Sequence, residues 1–219
     1  MASDDASARL GDAYRRAPNS RVAFLDESFE VAEDRTTFYL VSAVVTDTAE
    51  IDVLRDGLVD VVGDRYWHTT ESLLTPSGRK RAIEVAEYLG HDAGREVAVV
   101  ACKAPIGEAG GDAARQACIE QVAQALCAGA GIVQDPVHLM VLEQRETMHE
   151  RSFDNMIISK MRKAGTICRH CQLMQASPRD EFLLWLPDLV SSAVRRQMTH
   201  QENDLLSPIF EIVEVIYCP

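Results

Sequence analysis

Arg21-Val-Ala-Phe-Leu-Asp26 is a short apolar run that ends on an acid, and Thr36–Thr46 (TTFYLVSAVVT) is a β-branched and aromatic run without a charge. Both read as strands, the second as a buried one. The polar segment between them, Glu27–Arg35, is short enough for a hairpin, so the pair is expected to be antiparallel. Downstream, strands and helices alternate. Ile51, Leu54, Leu58 and Val62 recur at helical spacing within 48–62, with acids on the other face. A loop carrying Trp67 and His68 follows, then a helix over 77–89 with Pro76 near its start and Gly90 beyond its end. Strands are expected at 96–102 and 137–142, the latter running into Glu143, and helices at 112–128 and 149–163. A strand over 166–174, an apolar stretch turning into a helix over 181–198, and an alternating tail over 209–217 complete the pattern. The order predicts an α/β or α+β domain with a mixed sheet, its later strands joined by parallel crossovers.

The chain has 219 residues, enough for one domain that buries its core without disulfides or a structural metal. With no internal repeat and no Pro/Gly/Ser linker, residues 1–20 are expected to be a flexible leader and 21–219 a single domain. No stretch approaches the ~18 apolar residues that would span a bilayer. The first twenty residues lack the apolar centre of a secretory signal, so the expected setting is the cytoplasm and the six cysteines are expected to be reduced. Cys102, Cys118 and Cys127 fall at apolar positions, where a free thiol behaves as a small hydrophobe. The net charge of -12 weighs against a general nucleic-acid coat protein, whose affinity comes from neutralising phosphates. It leaves room for a site made of carboxylates.

Asp26 and Glu143 each end an apolar run, and ligands of α/β sheets bind at the carboxyl ends of the strands. Two carboxylates on neighbouring strands would repel each other, which a divalent cation relieves; hard Mg²⁺ or Mn²⁺ prefers such oxygens. Asp188 is the third candidate, a lone charge within Leu183-Leu-Trp-Leu-Pro-Asp-Leu-Val-Ser-Ser-Ala-Val194. With Pro187 at the first helical position and Asp188 at the second, it also suits a helix N-terminus.

These motifs carry a resemblance. Phe24-Leu-Asp-Glu-Ser28 resembles the opening signature of a bacterial family known as domain of unknown function 3800. Leu184-Trp-Leu-Pro-Asp-Leu-Val-Ser-Ser-Ala-Val-Arg195 is similar to that family's closing helix, Trp67-His68-Thr-Thr-Glu71 to its His-containing segment, and Val141-Leu-Glu143 to its late strand ending in an acid. The likeness spans about residues 21–196. It implies a ribonuclease H-like α/β fold, a mixed sheet flanked by helices, in which strand-end and helix acids hold two divalent ions for phosphodiester cleavage. Asp26, Glu143 and Asp188 would then be catalytic metal ligands, with Glu27 as a further ligand and Glu71 as a secondary acid. Three positions depart from the family pattern: Phe29 stands where Gly is usual, Trp185-Leu-Pro187 replaces Gln-x-Ala, and the late acid is Glu143, one methylene longer than Asp. His68 or His170 could move a proton near neutral pH, and Arg195 and Arg196 could pair with phosphates.

Other signals carry less. Cys168-Arg-His-Cys171 has no second pair at zinc-finger spacing, and a strand over 166–174 would point Cys171 away from Cys168 and His170. No helix signal follows at once, as a redox C-x-x-C requires. Gly107-Glu-Ala-Gly-Gly111 lacks the Lys-Ser/Thr of a phosphate-binding loop, and the Ala-rich helix over 112–128 suits close packing on a sheet or on a second subunit. Two functions follow as expectations. The first is a Mg²⁺- or Mn²⁺-dependent nuclease or related phosphodiester hydrolase acting on nucleic acid. The alternative is a catalytically degenerate ribonuclease H-like module that binds a protein partner through an apolar patch around Phe29, Trp67 and Trp185, for which Phe29 and the low lysine count speak.

Overall fold

The computed structural model describes residues 2–16, 20–30, 38–64, 66–106, 110–129 and 131–219. Among them six strands, β1 (Arg21–Glu30), β2 (Phe38–Asp47), β3 (Val97–Lys103), β4 (Val137–Glu143), β5 (Gln172–Ala176) and β6 (Val213–Tyr217), form one sheet in the order β5-β4-β1-β2-β3-β6. β1 and β2 are antiparallel, as the short first connection predicts, whereas β3 joins β2 antiparallel through a helical connection where the sequence reading expects a parallel crossover. β4 joins β1 in parallel, β5 joins β4 in parallel, and β6 lies parallel to β3. The sheet is therefore mixed, and the fold is α/β. β1 outruns the predicted apolar run, because Glu27–Glu30 stay paired with Val41–Phe38. The rest of the expected hairpin connection, 31–37, lies outside the described residues.

The helices α1 (Ala2–Arg16), α2 (Ile51–Val62), α3 (Thr69–Ser72), α4 (Pro76–Glu87), α5 (Gly110–Ala128), α6 (Met148–Ala164) and α7 (Trp185–His200) cover both faces. Ile51, Leu54, Leu58 and Val62 are the buried stripe of α2, and Gly63 ends that helix in the left-handed conformation, its N–H on the Val59 carbonyl. Together with α4 and α7 it packs on the face that carries Val22, Phe24 and Val44. α5 and α6 pack on the opposite face, against Ala23, Leu25 and Val41. The part of the leader that is described is helical and docked: Leu10 is buried in the first core, and the Tyr14 hydroxyl donates to Glu181 at 2.8 Å. No helix among the described residues is long and apolar enough to cross a membrane.

Two segments differ from the sequence reading in ways that matter for the site. The strand expected over 166–174 lies instead at Gln172–Ala176. Gly165 ends α6 with positive φ, and a turn follows in which the Cys171 N–H bonds the Cys168 carbonyl, so the chain reaches the sheet edge only after Cys171. α7 begins at Trp185, two residues before the expected start. Pro187 is accommodated there because the first four N–H groups of a helix have no intrahelical acceptor. The Ser42 hydroxyl of β2 donates to the Pro187 carbonyl at 2.7 Å, which fastens the first turn of α7 to the sheet.

Candidate active site

Successive side chains of a strand point to opposite faces, and this divides the two acids of Asp26-Glu27. Asp26 follows Val22 and Phe24 onto the face covered by α7; Glu27 follows Ala23 and Leu25 onto the face covered by α5. In β4, Leu139 and Val141 lie on the α7 face, so Glu143 does too. The parallel register pairs Phe24 with Val141 and Leu25 with Leu142; one step further, Asp26 stands beside Glu143. The two carboxyls share a hydrogen bond, and Asp188, in the first turn of α7, is close enough to raise the pKa of both. The three acids expected from the sequence thus converge at the carboxyl ends of β1 and β4.

Their environment determines their protonation. Asp26 is 8% exposed. Burial, and then the negative charges of Asp188 and Glu143, push its carboxyl well above the ordinary range, with Arg115 opposing. Burial also raises Glu143, while its hydrogen bond with Asp26 works the other way. The interaction between the two raises Asp26 and lowers Glu143, so Asp26 is the member on which protonation is favoured. Asp188 Oδ2 accepts the backbone N–H of Thr69 at 2.8 Å. That bond joins the site to α3, whose N-cap is His68. The His68 Nδ1 accepts the Thr70 N–H at 3.2 Å and lies 3.7 Å from Asp188 Oδ2. In the neutral ring the proton then sits on Nε2. Asp26, Glu143, Asp188 and His68 line one cleft of about 490 Å³, with Arg195 and Ser192 further along α7.

Not every expected residue belongs to this set. Glu27 reaches the cleft but is neutralised on the other face, where it accepts from the Tyr39 hydroxyl, pairs with Arg115 and has Arg145 Nε at 3.7 Å. Arg115 is buried and also binds both oxygens of buried Asp154, at 2.8 and 2.9 Å. The pleat turns Glu27 toward the α5 face, away from the Asp26–Glu143 pair, although both acids line the same cleft. Glu71 is exposed, accepts the Tyr66 hydroxyl at 3.3 Å and is not on the cleft wall. His170 precedes β5 and lines a hollow with His138 and Arg9, at the opposite end of the strands from Asp26. Arg196 is taken by Glu202, whereas Arg195 lines the cleft and, among the described residues, makes no ion pair. The apolar patch does not form: Trp67 and Trp185 are 6% and 2% exposed and lie against each other, leaving Phe29, 51% exposed, stacked on Tyr39.

Arg115, Asp154 and Arg145 escaped the sequence reading, because a lone Arg in an Ala-rich helix and a lone Asp in an amphipathic one look like solvated residues. Thr69 contributes through its backbone, which no residue type announces.

Among the described residues, no group of three or more His, Cys, Asp or Glu side chains is arranged to hold a metal ion. The donor set nonetheless suits a hard cation. Asp26 and Glu143 offer carboxylate oxygens that compete for one proton, and Mg²⁺ is commonly bound by one or two carboxylates, water and substrate phosphate. No protein-family model matches the chain, and no curated protein is significantly similar to it.

Proposed function

We propose that this protein is a divalent-metal-dependent phosphodiester hydrolase, a nuclease on a ribonuclease H-like domain. The observation that carries the reading is the convergence of Asp26, Glu143 and Asp188 at the carboxyl ends of two adjacent parallel strands, where burial and neighbouring negative charge raise the Asp26 carboxyl. Asp26 and Glu143 would hold Mg²⁺ or Mn²⁺, with Asp188 beside them. When bound, such an ion polarises a phosphoryl oxygen and lowers the pKa of water. The chain's own residues supply the rest. Asp188 holds the Thr69 amide and so keeps His68 on the cleft wall, from which its ring could give a proton to the leaving oxygen of an ester. Arg195 receives a non-bridging phosphate oxygen, since no carboxylate of the described residues neutralises it. The buried pair Arg115–Asp154 anchors Glu27, leaving the end of β1 fixed.

The alternative, a degenerate module that docks a protein on an apolar patch, loses its main support with the burial of Trp67 and Trp185. The deciding experiment is a cleavage assay on single-stranded RNA and DNA with Mn²⁺ or Mg²⁺. The wild-type protein is expected to cleave one of them, chelation to stop it, and Asp26→Asn to reduce it at least about a hundredfold, the scale of losing an electrostatic stabiliser of the transition state. Cleavage that persists in Asp26→Asn overturns the assignment.

A further inference from the structure

The thiols left aside by the proposed chemistry are not scattered. α5 carries Cys118 and Cys127, and each faces a partner next to an edge strand of the sheet. Cys127 is hydrogen-bonded with Cys171, just before β5. Cys118 lies with its sulfur 3.7 Å from that of Cys218, just after β6. The second pair is defined most tightly. The Cys218 N–H bonds the Cys102 carbonyl at 2.8 Å, which continues the β3–β6 pairing and fixes the backbone. Cys118 is buried beneath it with its sulfur 3.4 Å from the Tyr39 carbonyl, whereas Cys218 is half-buried and reachable.

We propose that Cys118 and Cys218 form a redox dithiol that closes to a disulfide, with a low-molecular-weight disulfide such as oxidised glutathione as electron acceptor, and so staples edge strand β6 to α5. The sulfurs, 3.7 Å apart, would close to the disulfide length of about 2.05 Å. Cys218 is the attacking group: it is the more exposed of the two, and its contact with Cys118 and the nearby Lys103 lower its thiol pKa, while the same contact and burial raise that of Cys118. The Cys218 sulfur attacks one sulfur of the acceptor, breaking its S–S bond and releasing one glutathione, which takes up the proton that Cys218 lost. The Cys118 sulfur then attacks Cys218, releases the second glutathione and gives up its own proton to it. Two protein thiols are oxidised and one small disulfide is reduced to two thiols. The bond would close a loop across 100 residues and hold β6, which among the described residues pairs with β3 at the edge of the sheet.

The test takes the full chain, reduced and freed of reductant, through a titration with oxidised glutathione, followed by intact mass, a non-reducing peptide map and thermal melting. The expected result is a product that has lost two hydrogens, with a peptide joining Cys118 to Cys218. Its melting temperature should be higher by roughly 5–15 °C, the scale for a long closed loop in a chain of this size. Cys218→Ser, at the accessible end, and Cys118→Ser should each remove that peptide and that shift, and Cys102→Ser should leave both. The map reads Cys127–Cys171 separately. A wild-type product in which glutathione stays on Cys218, in which Cys218 joins another cysteine, or in which Cys118 and Cys218 remain reduced at full oxidant overturns the proposal. Nothing in this outcome depends on whether the protein cleaves nucleic acid.

Discussion

Asp188 Oδ2 accepts the backbone N–H of Thr69 at 2.8 Å, although 119 residues separate the two. One carboxylate therefore serves two ends: it contributes charge to the Asp26–Glu143 pair and holds the short helix that presents His68. Substitutions separate these roles. Asp188→Asn keeps an acceptor oxygen for Thr69 and removes only the charge; its melting temperature should stay within a few degrees of wild type while Mn²⁺-dependent activity is lost. Asp188→Ala also leaves the Thr69 amide unpaired, a cost of about 1–3 kcal/mol. Equal stability of the two variants, read by urea unfolding, would show that the bond contributes nothing.

The pH dependence of stability should carry the signature of the shared proton. Asp26 and Glu143 are both raised, chiefly by burial and secondarily, for Asp26, by neighbouring acids. A carboxyl with a raised folded-state pKa stabilises fully only below its unfolded value of about 4, and that contribution is lost as pH rises through the folded value. Asp26→Asn mimics the protonated form and does not titrate there. The melting temperature of the variant minus that of wild type should therefore grow from about pH 4 toward pH 8. Added Mn²⁺ should raise the wild-type value more at the upper end, since a metal needs the deprotonated carboxylates. A difference that stays flat with pH would contradict the shared proton.

The buried Arg115–Asp154 pair should behave as a unit. Arg115→Ala leaves the fully buried Asp154 carboxylate without its bidentate partner and Glu27 without one of its donors, so a loss of about 3–5 kcal/mol is expected. The double variant Arg115→Met with Asp154→Leu removes both charges and should lose less than Arg115→Ala. Urea denaturation of the single and double variants measures this, and additive losses would count against a coupled pair.

Arg195 and Arg196 are adjacent in sequence and should differ in effect. Arg195→Ala should leave stability unchanged, weaken binding of a single-stranded oligonucleotide, and lower the slope of log affinity against log salt by about 1. Arg196→Ala breaks the pair with Glu202 and should leave oligonucleotide affinity near wild type. Fluorescence anisotropy across a salt series distinguishes the two, and an identical slope for all three proteins would remove Arg195 from the phosphate contact.

Periodicity carried most of the fold. The run Ile51, Leu54, Leu58, Val62 could bury its apolar face only as a helix, and TTFYLVSAVVT could do so only as a strand, so both were legible without a structure. Asp26, Glu143 and Asp188 were legible as acids attached to apolar runs, because a carboxylate in that position is costly without a purpose. The sequence could not say which strands are neighbours. The parallel pairing of β1 with β4 is decided by how the whole sheet buries its faces, and it alone brings Asp26 to Glu143. It also could not separate Asp26 from Glu27. The choice of face follows from which residues of β1 pack under α7 and which under α5, and on it rests the division between the carboxylate pair and the salt-bridged network of Arg115. Local pattern determines what each segment wants to bury; only the tertiary structure determines what it is buried against, because that choice is made by contacts between segments a hundred residues apart.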